Sequence, residues 1–194
     1  ETMSEDELTK LISETNAQVQ KLEQRKNELS SQLNALKDTA DKNEKAAEIA
    51  KQNAQINGIL SGRLAATGEG VVIRISQGSK QKIDSAILFT LLEELRNSGA
   101  EVIEINNVRV VTSTYISGTA GSLVCDGTKL KSPFTIRAIG DSDNLQNAVN
   151  LAGGVGSRLK VKYGATVSVS PSDKVMIKST RQAPQYTYAH VIGQ

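Results

Sequence analysis

The sequence predicts an α+β protein in which a long N-terminal coiled-coil helix precedes a ferredoxin-like split β-α-β domain with an added hairpin. Two observations lead to this prediction. Apolar residues alternate at spacings of three and four from Leu8 to Leu36, which is typical of a coiled coil. After residue 65, apolar runs and amphipathic segments follow in the order strand, helix, strands, helix, strands. We therefore assign a coiled-coil helix to 1–64, an α+β domain to 65–178 and an extended C-terminal tail to 179–194.

The predicted helix has one narrow apolar seam. Ser4 and Glu7 have the spacing of a capping box, which predicts a helix start just before Leu8. The apolar residues of this coiled-coil seam occupy heptad positions a and d, and they are Leu8, Ile12, Val19, Leu22, Leu29, Leu33 and Leu36. The remaining positions are mostly polar, so only another helix could cover the seam. Because no helix of similar length follows, we predict a homo-oligomer, with a dimer favoured and a trimer or an antiparallel pair left open.

The seam weakens along the helix. Lys26 occupies an a position, and beyond Leu36 the seam positions hold small and polar residues such as Ala40 and Asn43. Polar residues at these positions lower the stability of a coiled coil but help to set its register. A second apolar phase indicates a change of register or of partner, and it consists of Ala46, Ile49, Asn53, Ile56 and Leu60. Glycines from Gly58 onwards then interrupt the helical pattern.

The domain begins with a strand and a helix. Residues 71–75 are an apolar run typical of a buried strand. Asp84 or Ser85 is expected to cap a helix, and Gly99 is suited to end it. The predicted inner face of this helix consists of Ile87, Leu88, Leu91, Leu92 and Leu95.

Two hairpins are predicted next. Strands at 102–105 and 108–112 flank a turn at Asn106-Asn107, and a second hairpin at 122–130 turns at Asp126-Gly127. Dipeptides of this kind tolerate the positive φ angles that tight hairpin turns require.

The rest of the domain is predicted as a strand, a helix and a final set of strands. Residues 134–139 form the strand, and Asp141 caps a helix whose inward residues are Leu145, Ala148, Val149 and Leu151. The final strands are expected at 158–163, 166–169 and 175–177. The two helices of the domain would cover one face of a mostly antiparallel sheet.

The sequence predicts no catalytic, cofactor or metal site. It contains one cysteine, Cys125, and one histidine, His190, so neither a nucleophile with its base nor a typical metal-ligand set can be assembled from them. Cys125 lies in a predicted strand and is expected to be buried and inert. The glycines between Gly153 and Gly156 lack the spacing of a phosphate loop, and we interpret them as a helix end and a tight turn. We therefore predict a protein that is not an enzyme.

A candidate interaction surface follows from local charge patterns. Arg158, Lys160 and Lys162 alternate along a predicted strand, so they would share one face that is either solvated or in contact with anionic lipid or an envelope polymer. Asn106 and Arg109 flank a turn, which they would either hold by hydrogen bonds to the backbone or use for ligand contact. The net charge of only +2 indicates no nucleic-acid partner.

The domain resembles the bacterial YlxW-like family, described as a domain of unknown function. The resemblance is carried by the stretches 68–72, 92–106 and 133–141, together with Arg109 and Gly153-Gly154. It implies a single membrane-spanning helix, a coiled coil and an extracytoplasmic domain, in a family linked to cell-division or envelope loci. Because the chain begins with Glu rather than Met, we expect that such an anchor precedes it.

Two functions are consistent with these observations. The first is a non-enzymatic, membrane-anchored scaffold of the bacterial envelope or division machinery, which self-associates through its coiled coil and contacts other envelope or division proteins. The alternative is a domain that senses a small molecule and signals through the attached helix.

Overall fold

The computed structural model describes residues 4–193, which form two compact units divided between Asn53 and Ala54. The helix α1 comprises Glu5–Leu60. Its residues up to Asn53 form the first unit, and its last turns belong to the second unit. The predicted capping box is confirmed. The Ser4 Oγ accepts the Glu7 N–H at 3.3 Å, and the Glu7 carboxylate accepts the Ser4 N–H at 3.1 Å. These two bonds satisfy donors that the first helical turn would otherwise leave unpaired.

The second unit contains the remaining elements of the described chain. In chain order they are β1 (Ala66–Ser76), α2 (Ser85–Asn97), β2 (Val102–Ile105), β3 (Val108–Val110), β4 (Ile116–Thr119), β5 (Ser122–Cys125), β6 (Thr128–Leu130), β7 (Phe134–Ile139), α3 (Ser142–Asn150), α4 (Val155–Val161) and β8 (Thr166–Ile177). The α+β class is therefore as predicted. The chain forms a five-stranded sheet in the order β3-β2-β7-β1-β8 and a three-stranded sheet in the order β4-β5-β6, with every neighbouring pair antiparallel.

One face of the five-stranded sheet carries the main core. It contributes alternate residues such as Val71, Ile73 and Ile136, and the helices α2, α3 and α4 pack against it. The predicted inner face of α2 is confirmed, because all five of its leucines and isoleucines are buried. In α3, Leu145 and Val149 are buried as predicted. Side chains of this kind each stabilise a fold by about 1.5–3 kcal/mol when fully buried.

The opposite face of the sheet, here called the second face, is partly covered by the chain itself. A β-bulge lies in β1 between Gly68 and Gly70, at which the register with β8 shifts. Beyond it, Val175 and Ile177 of β8 pack in a small second core with Val102 and Ile139. Such bulges bend a strand and increase its twist. The end of β8 therefore folds over the second face instead of extending past it.

The outer edges of the five-stranded sheet are β3 and β8. The strand β3 has only three residues, and β8 pairs with β1 alone. Pro171 lies within β8, opposite Val71. Proline has no N–H to donate to a neighbouring strand, so it is tolerated in an edge strand and would disrupt a central one. The polar stretch around Pro171 predicted a break between 166–169 and 175–177, whereas the structure has one continuous strand.

The strand predicted at 158–163 is wrong, because α4 occupies this segment. Val155, Leu159 and Tyr163 are all buried, and their spacing of four residues is that of a helix face. The predicted strand would have turned Val161, on the face opposite the three cations, into the core, but Val161 is 67% exposed. Leu151, predicted to point inward, is 63% exposed. Gly154 is the N-cap of α4. The glycines from Gly153 to Gly156 therefore follow α3 and also lead into α4.

Asp84 connects α2 with the segment after α4. Its Oδ1 accepts the Ile87 N–H at 2.9 Å, which confirms the predicted N-cap, and its Oδ2 accepts the Tyr163 hydroxyl at 2.7 Å. Burial, followed by the bond to Asp84, raises the pKa of Tyr163 to about 12. The second predicted cap is also present, because Asp141 accepts the Asn144 N–H at 2.9 Å.

The side chain of Arg109 binds three backbone groups of the second unit that are distant from it in sequence. It is 2% exposed, and its guanidinium donates to the carbonyl oxygens of Ile59 at 2.9 Å, Leu64 at 2.8 Å and Ser179 at 3.0 Å. The Ile59 carbonyl belongs to the last turn of α1, where carbonyl groups lack partners within the helix and a cation is favourable. Arg109 thus holds together the end of α1, the start of β1 and the segment that follows β8.

The tail, 179–194, was predicted to be extended, and its described part, residues 179–193, contains no helix or strand. Its beginning is nevertheless held in place. The Arg181 N–H donates to the Gly62 carbonyl at 2.7 Å, and the Arg181 guanidinium pairs with Asp126 at 2.6 Å. Gly62 itself has a φ of 75°, the left-handed conformation in which helices commonly end.

Replacing Arg109 with Met is expected to lower the free energy of unfolding by about 2–4 kcal/mol, because three carbonyl groups lose a charged donor. Urea denaturation followed by circular dichroism measures this change. The exposed Arg74 on β1 provides the control, since Arg74→Met should change stability by less than about 0.5 kcal/mol. Equal effects of the two substitutions would contradict the role assigned to Arg109.

Replacing Tyr163 with Phe should change the pH dependence of stability. A tyrosine pKa raised to about 12 in the folded state, against 10.0 when unperturbed, stabilises the fold below pH 10 and ceases to do so as the pH rises towards 12. The wild-type protein is therefore expected to lose stability across this interval, and Tyr163→Phe should lose less. The exposed Tyr115 is the control, because Tyr115→Phe should retain the wild-type slope in denaturant titrations at each pH.

Candidate functional site

The coiled-coil seam is exposed to solvent in the single chain. The exposed fractions of its apolar residues range from 48% for Val19 to 69% for Leu22. All seven predicted seam residues lie in α1 and are among the exposed large apolar side chains of the described chain. Exposed apolar side chains are ordinary when scattered, but a row in heptad register is the surface by which helices pair.

The predicted basic stripe does not form as expected. Because 158–163 is largely helical, Arg158 and Lys162 lie one turn apart and Lys160 lies on a different side of α4. All three side chains are exposed, so they remain available to solvent but do not line a single strand face. The Lys162 ammonium lies 5.5 Å from the centre of the Tyr163 ring. The alternation of lysine and apolar residues was therefore misleading, since the buried residues have a helical period.

Asn106 and Arg109 both have structural contacts. The Asn106 side chain accepts the Thr135 N–H at 2.8 Å and donates to the Lys131 carbonyl at 2.9 Å, so it holds the turn through backbone groups as predicted. Asn106 and Asn107 both have positive φ, the geometry of a tight hairpin turn. Arg109 was also predicted for the interaction surface, which is wrong. Its side chain is buried, and its donors are satisfied by three backbone carbonyls instead of a ligand.

A cleft of about 420 Å³ lies on the second face, and we call it the second-face cleft. Its charged lining residues are Glu104, Arg137, Lys174 and Lys178. Its apolar lining residues are Val72, Val175 and Met176. The cleft exists because the end of β8 folds over the sheet and brings Lys174 of β8 and Lys178, which follows it, towards β2 and β7. Small-molecule sites are typically of this size and combine an apolar lining with a few polar groups.

An ion pair lies in the wall of this cleft. Glu104 and Arg137 are directly opposite each other on β2 and β7, and the Arg137 Nη1 donates to the Glu104 Oε2 at 3.2 Å. The Glu104 side chain is 4% exposed and that of Arg137 is 33% exposed. The strand β3 lies on the other side of β2, and its Arg109 is directly opposite Glu104 in the strand pairing. Burial lowers the pKa of Arg109, and the nearby Glu104 carboxylate opposes this change.

The second-face cleft was not predicted from the sequence. Its signals were Glu104 within the apolar run 102–105 and Arg137 within the apolar run 134–139, because a charged residue in a buried strand needs a partner. The contribution of Lys174 and Lys178 could not be anticipated, since it depends on the path of β8 after the bulge.

Two other features of the described chain bear on chemistry. Cys125 is buried as predicted, and burial together with the Asp126 carboxylate raises the pKa of its thiol to about 11, which keeps it protonated and unreactive. A second, more apolar cleft of about 290 Å³ is lined by residues that include Lys82, Leu123 and Phe134. Among residues 4–193, no three His, Cys, Asp or Glu side chains are grouped as metal ligands, and no helix is both long and apolar enough to cross a membrane.

Known proteins resemble the chain along most of its length. It is 34% identical over 169 residues to the UPF0749 protein Rv1825 of Mycobacterium tuberculosis, which covers 85% of this chain and 57% of that protein. It is 30% identical over 126 residues to the UPF0749 protein YlxW of Bacillus subtilis, which covers 60% of this chain and 54% of that protein. The chain thus spans little more than half the length of these relatives.

A solved structure and a family model agree with these matches. The crystal structure of an uncharacterized conserved protein from Mycobacterium tuberculosis has a TM-score of 0.65 and 35% identity, covering 72% of this chain and 99% of that one. Residues 53–190 match the family model described as a bacterial protein of unknown function, DUF881. The resemblance noted in the sequence is therefore confirmed, and the chain belongs to the YlxW-like DUF881 family of bacterial proteins of unknown function.

Proposed function

We propose that the protein is a non-enzymatic scaffold that self-associates through α1 and presents its α+β domain to other proteins. The observation that carries this proposal is the coiled-coil seam, a row of apolar residues from Leu8 to Leu36 whose side chains are each about half exposed or more. A helix with so narrow an apolar stripe gains stability when a second helix covers it. The polar residues on the rest of α1 favour pairing along the seam over unspecific association.

We also propose that the protein is anchored in the bacterial cell membrane with its domain outside the cytoplasm, as part of the envelope or division machinery. The support is the resemblance to the YlxW-like family. Proteins of that machinery would be its partners, and the exposed cations Arg158, Lys160 and Lys162 favour a contribution from anionic lipid or an envelope polymer.

We infer a ferredoxin-like topology for the domain from its strand order. If the short edge strand β3, the small sheet and the short helix α4 are treated as additions, the remaining order is β2-β7-β1-β8 with α2 and α3 as crossovers. An antiparallel sheet with this order and two helices on one face is the arrangement expected for a split β-α-β fold.

A second candidate function is the sensing of a small molecule, and the second-face cleft favours it. Glu104 in the cleft wall lies opposite Arg109 on β3, and Arg109 binds the Ile59 carbonyl in the last turn of α1. A ligand bound to Arg137 would change the balance of charge around Glu104, and with it the electrostatic environment of Arg109. This route would carry a signal from the cleft to the end of the helix.

The double substitution Leu22→Asp with Leu29→Asp is expected to convert the dimer to a monomer. The two carboxylates of each chain would face those of the other chain along the paired seam. Multi-angle light scattering of the purified chain measures the mass. The matched control is Gln24→Asp with Ser31→Asp, which adds the same two charges to the same turns of α1 away from the seam and should leave the dimer intact. An unchanged mass for the seam variant would show that association does not use the seam.

The direction of pairing can be tested with Leu8→Cys. In a parallel dimer the two introduced cysteines face each other at the same d position, so mild oxidation should yield a disulfide-linked dimer on a non-reducing gel. Gln24→Cys, away from the seam, is the control and should not cross-link. Failure of both variants to cross-link, with the dimer retained in solution, would favour the antiparallel pair.

A further inference from the structure

We propose that the second-face cleft binds a phosphate monoester, with Arg137 as its principal ligand and Lys174 and Lys178 as supporting cations. The three cations and the carboxylate of Glu104 line one cleft on the second face. The inference is independent of self-association, since every residue in it belongs to the second unit.

Arg137 has donors to spare. A guanidinium carries five N–H donors, and within residues 4–193 the Arg137 side chain donates one hydrogen bond, to Glu104 at 3.2 Å. Its partial exposure leaves the other donors accessible from the cleft. Arg109 differs, because its guanidinium is buried and already binds three carbonyls. Arg137 is therefore the guanidinium that can receive a ligand.

Glu104 orients the Arg137 guanidinium before a ligand binds. Its carboxylate is almost fully buried in the wall of the cleft and binds one side of the guanidinium. A guanidinium that is already held in one orientation can present its remaining donors as a fork, which matches two oxygens of a phosphate group. The positioning costs little when the ligand arrives, because the side chain is ordered beforehand.

The charge of the cleft distinguishes a phosphate monoester from a carboxylate. Arg137, Lys174 and Lys178 against Glu104 give a net charge of +2. A phosphate monoester carries about −1.5 to −2 at neutral pH, whereas a carboxylate carries −1. The apolar residues Val72, Val175 and Met176 provide surface for the organic part of the ligand. Phosphorylated small molecules and lipid headgroups that end in a phosphate monoester share this chemistry.

The test uses the full chain and two probes. Phenyl phosphate is titrated into labelled protein and followed by NMR chemical shifts, with benzoate as the carboxylate comparison. Vesicles of phosphatidylcholine with and without phosphatidic acid are used for co-sedimentation. We expect saturable shifts at Arg137 and its neighbours with phenyl phosphate and weaker shifts with benzoate. Binding of phenyl phosphate alone assigns a small-molecule source, and binding of phosphatidic acid vesicles assigns a lipid source.

Two variants link the binding to the cleft. Arg137→Lys keeps the charge but removes the fork. Lys174→Gln with Lys178→Gln removes two exposed cations whose ammonium groups make no hydrogen bond or ion pair within residues 4–193. Each is expected to weaken binding about tenfold or more. The controls are Arg74→Lys and Arg74→Gln with Lys129→Gln, which alter exposed cations outside the cleft and should change affinity less than about twofold.

The proposal is overturned if neither probe binds, if benzoate binds as tightly as phenyl phosphate, or if cleft and control variants weaken binding equally. The double variant Leu22→Asp with Leu29→Asp separates this result from self-association, since it should bind phenyl phosphate with unchanged affinity.

Discussion

The second unit depends on one buried guanidinium. Arg109 binds carbonyl groups that end α1, precede β1 and follow β8, and these groups lie 50, 45 and 70 residues from Arg109 along the chain. A buried cation is tolerated only when its donors are satisfied, and within residues 4–193 the hydrogen bonds of this guanidinium all go to backbone carbonyls. The same residue therefore fixes where the helix stops, where the sheet starts and where the tail leaves the domain.

The β-bulge in β1 has a comparable effect on the second face. It redirects the end of β8 across the sheet, where Val175 and Ile177 cover apolar residues and Lys174 and Lys178 approach the Glu104–Arg137 pair. A flat hairpin of β1 and β8 would leave this face open. The site and the small second core thus share one cause, which is a single irregularity in strand pairing.

Local signals in the sequence were sufficient for the capping box, both aspartate caps, the two hairpin turns and the buried face of α2. Each is decided by residues within a few positions of one another. The helix α4 was missed because its polar alternation imitates a strand, and only packing against the sheet selects the period of Val155, Leu159 and Tyr163. The burial of Arg109 was missed for a related reason, since its partners come from segments that only the complete fold brings together.

The edges of the five-stranded sheet have a consequence for copies that are held close together. A long, regular edge invites a second chain to add a strand, and the usual protections are shortness and proline. Here β3 has three residues and β8 contains Pro171. Domains crowded at one site could therefore stand side by side without fusing into a continuous, amyloid-like sheet.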